Sequence, residues 1–192
     1  MNFKSDGRSE NLQNCLPANL TEKDIRIEIQ TSVVGPLSFV TTSPKLSASK
    51  IYAQVDLNAT PQVQVSVNAD SLKVISEKIS SADHSKILKA VSDKILKIDQ
   101  FPKIHFVSTV ASIRDSCYPF SVVVMGELTI NGTSKEIDLV FKHSRDSLMS
   151  QISILQSDFN IKPITGMGGA LRCKDKLDLS IQILLDQWKV KE

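Results

Sequence analysis

The three histidines are the first residues to consider for metal binding or catalysis, and their spacing favours neither. They lie far apart in the sequence, at His84, His105 and His143, with no His-x-His or His-x-x-x-His pair. A Ser-His-Asp site would need a strained nucleophile turn such as Gly-x-Ser-x-Gly, which this sequence lacks. His105 alternates with the apolar Ile104 and Phe106, so we expect it on the outer surface of a strand.

The three cysteines, Cys15, Cys117 and Cys173, show neither metal-ligand nor Cys-x-x-Cys spacing. Their odd number favours unpaired cysteines that serve as small side chains, although one disulfide bond could form if the protein resides outside the cytoplasm. The compartment is open as well. Met1 is either the native start of a cytoplasmic protein, or a signal was removed and the protein is periplasmic or secreted.

One acid stands out because it precedes a large aromatic residue: Asp158 beside Phe159. The simplest role for its carboxylate is to accept backbone hydrogen bonds and pin the turn before the last strands. A functional hypothesis places Asp158 at the mouth of a pocket instead. The glycine-rich segment at residues 166–169 lacks the Lys-Ser/Thr pair of a phosphate-binding loop, so we interpret it as a flexible connection.

The composition is that of one soluble globular domain. Of the 192 residues, 41% are hydrophobic and 23% are charged, which excludes disorder throughout the chain. The net charge of +2 is too balanced for a nucleic-acid-binding face, and no window approaches the roughly eighteen apolar residues of a membrane span. We expect a disordered N-terminal tail over residues 1–22 and one domain over residues 23–187.

Strict alternation of apolar and polar residues predicts antiparallel β-structure along most of the domain. Residues 24–30 place isoleucines on one face, and residues 50–58 and 62–69 form two further alternating runs separated by a turn. Gly35-Pro36 interrupts the alternation, and we interpret residues 41–49 as a loop or an irregular edge.

The strongest local signal is Asn131-Gly132, which separates two alternating segments over residues 120–143. Asn and Gly accept the positive φ angles of a type I′ turn, so the sequence predicts a β-hairpin here. Further alternating runs, at residues 104–110 before the hairpin and near residues 152–154 and 177–183 after it, bring the total to about eight or nine strands.

A single segment over residues 82–98 breaks the strand pattern. Its apolar side chains recur every three or four positions, at Ile87, Leu88, Val91, Ile95 and Ile98. That spacing predicts one amphipathic helix, whose solvated face carries Lys86, Lys89, Asp93, Lys94 and Lys97. An antiparallel sheet of this many twisted strands curls, and closing it into a barrel removes its edges. Eight strands leave an interior that is either filled by side chains or just wide enough for a ligand.

Three motifs stand in order along the second half of the chain. They are Phe-Pro-Lys-Ile-His-Phe at residues 101–106, Gly-Glu-Leu-Thr-Ile-Asn-Gly-Thr at residues 126–133 and Gln-Ser-Asp-Phe-Asn-Ile at residues 156–161. In order and spacing they resemble the YceI-like family, the bacterial polyisoprenoid-binding, lipocalin-like proteins. The segment at residues 65–72 is also similar to the strand and Ser-Leu pair that precede the helix in that family. The resemblance covers about residues 25–185.

The resemblance implies a mainly β fold: an extended antiparallel eight-stranded lipocalin-like β-barrel with one amphipathic helix packed against it. Its tunnel-like interior would hold a long isoprenoid or a similar amphiphile, and no catalytic residues come with it. Many relatives carry a Gly-His-Asp-His segment where this chain has residues 40–44, so any role of those histidines does not transfer. Asn160 replaces the usual Gly, a mild change because Asn tolerates left-handed backbone angles.

The inward-facing apolar row of the barrel is the candidate ligand-binding site. On the residues alone these side chains form a packed core, and the resemblance favours the lining of a ligand cavity. The row comprises the apolar members of the alternating runs: Val55, Val65, Ile104, Phe106, Val122, Val124, Leu128, Leu139, Phe141, Ile154, Phe159, Leu179 and Ile181.

These observations favour a non-enzymatic protein that binds or carries a long-chain amphiphile, such as a polyisoprenoid, an isoprenoid quinone or a fatty acid or amide. We expect no cofactor beyond a bound isoprenoid or quinone-like lipid, no nucleic acid partner and no integral membrane segment, and a homodimer stays open. The alternative is a filled barrel, a structural or stress-related interaction module with no small-molecule ligand. A hydrolase or isomerase that uses Asp158 or His105 is a third hypothesis, which lacks a catalytic constellation.

Overall fold

Antiparallel β-strands and one main helix make up the described part of the chain. The computed structural model describes residues 19–36, 38, 42–56, 62–114, 121–144 and 146–184. Its strands are β1 (Asn19–Thr21), β2 (Ile25–Gln30), β3 (Val33–Val34), β4 (Lys45–Ala48), β5 (Ile51–Asp56), β6 (Gln62–Asn68), β7 (Leu72–Val74), β8 (Lys103–Arg114), β9 (Ser121–Ile130), β10 (Thr133–Ser144), β11 (Ser147–Leu155), β12 (Thr165–Gly166), β13 (Leu171–Cys173) and β14 (Lys176–Leu184).

The barrel has eight strands when each bent strand is counted once. β1 and β2 form the first bent strand, and β4 and β5 form the second, because β1 pairs with β5 and β2 pairs with β4. β6 and β7 pair with β5 and β4 on the other side and form a third bent strand. β8, β9, β10, β11 and β14 then follow in antiparallel order, and β14 pairs with β2 to complete the circuit. The predicted eight-stranded barrel with one helix is confirmed.

The turn between β9 and β10 is the predicted one. Asn131 and Gly132 both have positive φ angles, 52° and 70°, as a type I′ turn requires. Thr133 lies opposite Ile130, and the ladder continues without a break to Lys142 opposite Ser121. This hairpin therefore forms one continuous wall of the barrel.

A β-bulge in β8 explains the glycine at position 126. The register of β8 against β9 shifts between Ser108 and Val110, with Ser108 opposite Gly126. A Cβ atom on Gly126 would lie 2.7 Å from Cζ of Phe106 and 2.7 Å from Cα of Ser108. Only a residue without a side chain permits this approach, so Gly126 lets β9 cross the bulge beneath the Phe106 ring.

Helix α1 (Ser81–Ala90) begins at the N-cap Ser80, whose hydroxyl accepts the backbone N–H of Asp83 at 3.2 Å. It continues into one π-helical turn, Val91–Leu96, and ends at Lys97, which has a φ of 47°. Val91 and Leu96 are buried in the main hydrophobic core with the barrel side chains. The predicted helix is confirmed within two residues at each end, and the five charged residues predicted for its solvated face are all exposed.

Two expectations were wrong at the strand boundaries. Residues 45–48, expected to be a loop or an irregular edge, form β4, because pairing with β2 and β7 on both sides satisfies their backbone. Residues 19–21, expected to belong to the N-terminal tail, form β1, where Leu20 is buried against the barrel. Residues 1–18, and with them Cys15, lie outside the described residues, as do Cys117 and residues 40–41.

Candidate ligand-binding cavity

The barrel encloses a cavity of about 660 Å³, which falls within the roughly 300–1,000 Å³ typical of ligand pockets. Side chains from all eight barrel strands and from the helix line it. On β9 the lining residues run from Val122 to Ile130, which corresponds to roughly 27 Å at ~3.4 Å per residue. The cavity is therefore long, and its length follows the strands.

Twelve of the thirteen predicted site residues line this cavity. They lie on strands β5, β6, β8, β9, β10, β11 and β14, and they are buried or half-buried: Val55, Val65, Ile104, Phe106, Val122, Val124, Leu128, Leu139, Phe141, Ile154, Leu179 and Ile181. Leu139 lies directly opposite Val124, and Phe141 lies opposite Val122. The alternation within each strand therefore brings these side chains together.

Phe159 is the exception, because it is only 1% exposed but does not line the cavity. It belongs to a 3₁₀ turn, Gln156–Phe159, that follows β11. The alternation of a strand does not continue through such a turn. Phe159 therefore packs in the core beyond the cavity wall, and its assignment to the lining was wrong.

Among the lining residues that the prediction missed, two groups have a regular apolar spacing. The isoleucines of β2, at Ile25, Ile27 and Ile29, line the cavity, and so do Ile87, Val91 and Ile95 of the helix region. Both sets have the apolar spacing that predicts one buried face. Their spacing was a sufficient signal, although the sequence does not indicate that the helix covers the cavity.

Polar side chains are rare in the cavity. Among the described lining residues only five are polar: Thr31, Lys86, Ser112, Gln156 and Cys173. Lys86 is the one charged residue in this set; its side chain is 78% exposed and pairs with Asp83 at 3.0 Å. Burial raises the pKa of the Cys173 thiol, so the thiol is neutral at ordinary pH. The part of the wall formed by described residues is thus largely apolar and carries no buried charge.

Gln156 is the polar lining residue that is held most firmly. It is 3% exposed, and its Nε2 donates to the backbone oxygens of Lys174 at 2.8 Å and of Asp175 at 3.4 Å. Its backbone N–H donates to the backbone oxygen of Asp175 at 3.0 Å, and its backbone oxygen accepts from the backbone N–H of Ile161 at 3.0 Å. The side chain therefore has one fixed orientation.

The acid that pins this turn is Asp175 and not Asp158. The Asp175 carboxylate accepts from Ser157 twice, from the backbone N–H at 2.8 Å and from the hydroxyl at 2.5 Å. Asp158 is exposed and does not line the cavity. The role predicted for Asp158 is taken by an acid that is distant in sequence, because the 3₁₀ turn folds back against the start of β14.

The three histidines lie on different elements of the structure, namely α1, β8 and β10. His105 is exposed on β8, as predicted, and the ring of His84 lies 3.3 Å from the backbone oxygen of Ser76. Within the described ranges no three His, Cys, Asp or Glu side chains form a group that could hold a metal ion. The helices of the same ranges include none with the length and apolar content of a membrane span.

A scan against protein-family models matches the YceI-like domain over residues 16–185. The chain belongs to the YceI-like family. This match covers the whole barrel and the helix, and it includes β1, although the residues of β1 are predicted from the sequence pattern to belong to the tail. Comparison with curated protein sequences found no match.

Solved structures of low sequence identity share this YceI-like fold. BcnA from Burkholderia cenocepacia superposes with a TM-score of 0.59 at 15% identity, over 83% of this chain and 94% of that one. A polyisoprenoid binding domain from Saccharophagus degradans gives 0.58 at 10% identity, over 87% and 98%. The YCEI protein of Campylobacter jejuni gives 0.55 at 18% identity, over 72% and 81%. At these identities the comparisons show the fold alone.

Proposed function

We propose that this protein is a non-enzymatic carrier that holds a long-chain amphiphile, such as a polyisoprenoid, an isoprenoid quinone or a fatty acid or amide, inside its barrel. The observation that carries the proposal is the cavity of about 660 Å³ with its almost wholly apolar wall. The polyisoprenoid binding domain from Saccharophagus degradans, which has the same fold, supports an isoprenoid as the ligand.

Hydrophobic burial alone is sufficient to hold such a ligand. A chain of several isoprene units that buries about 400 Å² of apolar surface gains on the order of 10 kcal/mol before the costs of association are subtracted. The length of the cavity along β9 suits an extended chain better than a compact ring system. No strong polar contact is needed for retention.

The alternative, a filled barrel that serves as an interaction module, is less well supported. A packed core leaves few voids larger than a water molecule, whereas this interior has a volume typical of a ligand pocket. An enzyme based on Asp158 or His105 receives no support from the geometry, because both side chains are exposed outside the cavity.

Organic extraction of the purified protein, followed by mass spectrometry, tests the carrier function. We expect one long-chain amphiphile in a molar amount close to that of the protein. A matched sample that is unfolded in guanidinium, stripped of lipid and refolded should rebind added farnesol in a titration. An extract without lipid, together with no binding of farnesol by the refolded protein, would contradict the proposal and favour the filled barrel.

A further inference from the structure

The cavity has one polar end, which we define by Thr31, Gln156 and Cys173. These residues come from separate parts of the chain, after β2, after β11 and from β13. Backbone contacts join them: the Lys174 N–H donates to the Ser32 oxygen at 2.7 Å, and Gln156 donates to the Lys174 oxygen. The other two polar lining residues, Lys86 and Ser112, are both exposed, so a buried polar group of a ligand has one preferred end.

The hydrogen bonds of Gln156 leave one atom available to a ligand. Its amide NH₂ is engaged by two backbone oxygens, which turns Oε1 away from Lys174 and Asp175. Within the described part of the chain no group donates to this Oε1. Gln156 lines the cavity although the residue is 3% exposed. Because an amide oxygen has two lone pairs, Oε1 can accept a hydrogen bond from a donor group that enters the cavity.

The other two residues of the polar end do not replace Gln156. The Thr31 hydroxyl donates its proton to the Pro44 backbone oxygen at 2.8 Å, so it offers a ligand only an acceptor. The Cys173 thiol is neutral, because burial raises its pKa. No residue of the polar end carries a positive charge that could balance a phosphate or a carboxylate.

We propose that Gln156 binds the headgroup of the ligand, accepting a hydrogen bond from a neutral hydroxyl or amide N–H, so that the preferred cargo is an uncharged long-chain alcohol or amide. The inference rests on the proposed carrier function and names its ligand class. Gln156 acts here as a specificity-determining residue. An ionised headgroup is disfavoured, since it would meet an acceptor oxygen in an apolar, uncharged site.

Three ligands with the same fifteen-carbon chain test this inference in the wild-type protein: farnesol, its methyl ether and farnesyl pyrophosphate. In a purely apolar cavity the ether binds more tightly than the alcohol, because the hydroxyl must be desolvated. With Gln156 as acceptor we expect the reverse order, with farnesol about fivefold tighter than the ether and the pyrophosphate weakest.

Two substitutions then test whether Gln156 causes the preference for farnesol over its methyl ether. In Gln156→Met the preference for farnesol should disappear or invert while the ether still binds. Methionine keeps the length of the glutamine side chain but lacks the amide oxygen that accepts the hydrogen bond. Ser150→Ala is the matched control: Ser150 is 2% exposed inside the barrel but does not line the cavity. Its headgroup preference should equal that of the wild type.

The outcomes separate the two proposals. Binding of the ether as tightly as farnesol by the wild type would overturn the role of Gln156 and leave the carrier function standing. The role of Gln156 would also be overturned if the wild type bound the pyrophosphate more tightly than farnesol and Lys86→Met lost this preference. That result would place the headgroup of the ligand at the helix. Failure of all three ligands to bind would contradict the carrier function itself. The wild-type ranking requires no variant, so the test holds even if Gln156→Met does not fold.

Discussion

The side-chain Nδ2 of Asn131 donates a hydrogen bond of 2.5 Å to the backbone oxygen of Ile95. This contact joins the β9–β10 turn to the π-helical turn that follows α1, across 36 residues of sequence. Ile95 also lines the cavity. The positive φ of Asn131 and its side-chain amide therefore serve two purposes, closing the hairpin and fixing the helix across one end of the barrel.

Substitutions of Asn131 separate these purposes. Asn131→Gly keeps the positive φ and removes the hydrogen bond, so we expect a loss of about 1 kcal/mol in the free energy of unfolding. Asn131→Asp keeps the shape but places a carboxylate beside the Ile95 oxygen, so we expect a larger loss, about 2–3 kcal/mol. Urea unfolding at pH 7 measures both. If both variants unfold with the same free energy as the wild type, the hydrogen bond from Asn131 to Ile95 contributes little to stability.

Gly126 is predicted to be the least replaceable glycine of the barrel. In Gly126→Ala the new Cβ would approach the Phe106 ring and the Ser108 backbone to 2.7 Å, so we expect a loss of about 3 kcal/mol or more. The matched control is Gly166→Ala, where the nearest atom would be Cβ of Leu171 at 4.0 Å. Thermal unfolding of the two variants checks this; a similar melting temperature for both would mean that the bulge adjusts freely.

The N-cap of α1 predicts a pH effect. The Ser80 hydroxyl donates to the Asp83 carboxylate at 2.7 Å, and this bond, followed by the contact with Lys86, lowers the pKa of Asp83. A carboxylate whose pKa is lowered in the folded state contributes stability above its ordinary pKa, and the contribution is lost as the pH falls through the lowered value. Ser80→Ala should therefore raise the pKa of Asp83 towards its ordinary value.

An NMR titration of the Asp83 side-chain carboxyl measures this change directly. Ser85→Ala serves as the control, because the Ser85 hydroxyl donates to the Ser81 backbone oxygen and not to Asp83. Its Asp83 pKa should equal that of the wild type. An unchanged pKa in Ser80→Ala would assign the shift to Lys86 instead.

The alternation of apolar residues predicted the barrel because each regular strand buries one face. It failed where the buried element was too short to show a period. β4 has four residues, Lys45–Ala48, and becomes a strand only because β2 and β7 pair with it. Which distant strands meet cannot be obtained from a local pattern.

Residues next to irregular turns were predicted least well. Phe159 was assigned to the cavity, but the 3₁₀ turn after β11 places it in the core beyond the wall. Gln156 was overlooked as a site residue, since a polar side chain suggests an exposed position. One signal was available: Gln156 continues the inward positions of Ile152 and Ile154 along β11. The carbonyl groups that orient its amide come from residues 174 and 175, which no sequence pattern connects to it.

The most direct test of the carrier function compares two tryptophan substitutions at adjacent positions of β9. Val124 lines the cavity opposite Leu139, whereas Met125 faces outward and is 41% exposed. Native mass spectrometry of the purified proteins measures the mass of any retained ligand. We predict that Val124→Trp fills the cavity and loses the ligand, while Met125→Trp and the wild type retain it and all three keep the same fold by circular dichroism. Retention by Val124→Trp at the wild-type level would contradict the account, because the ligand would then lie outside the barrel.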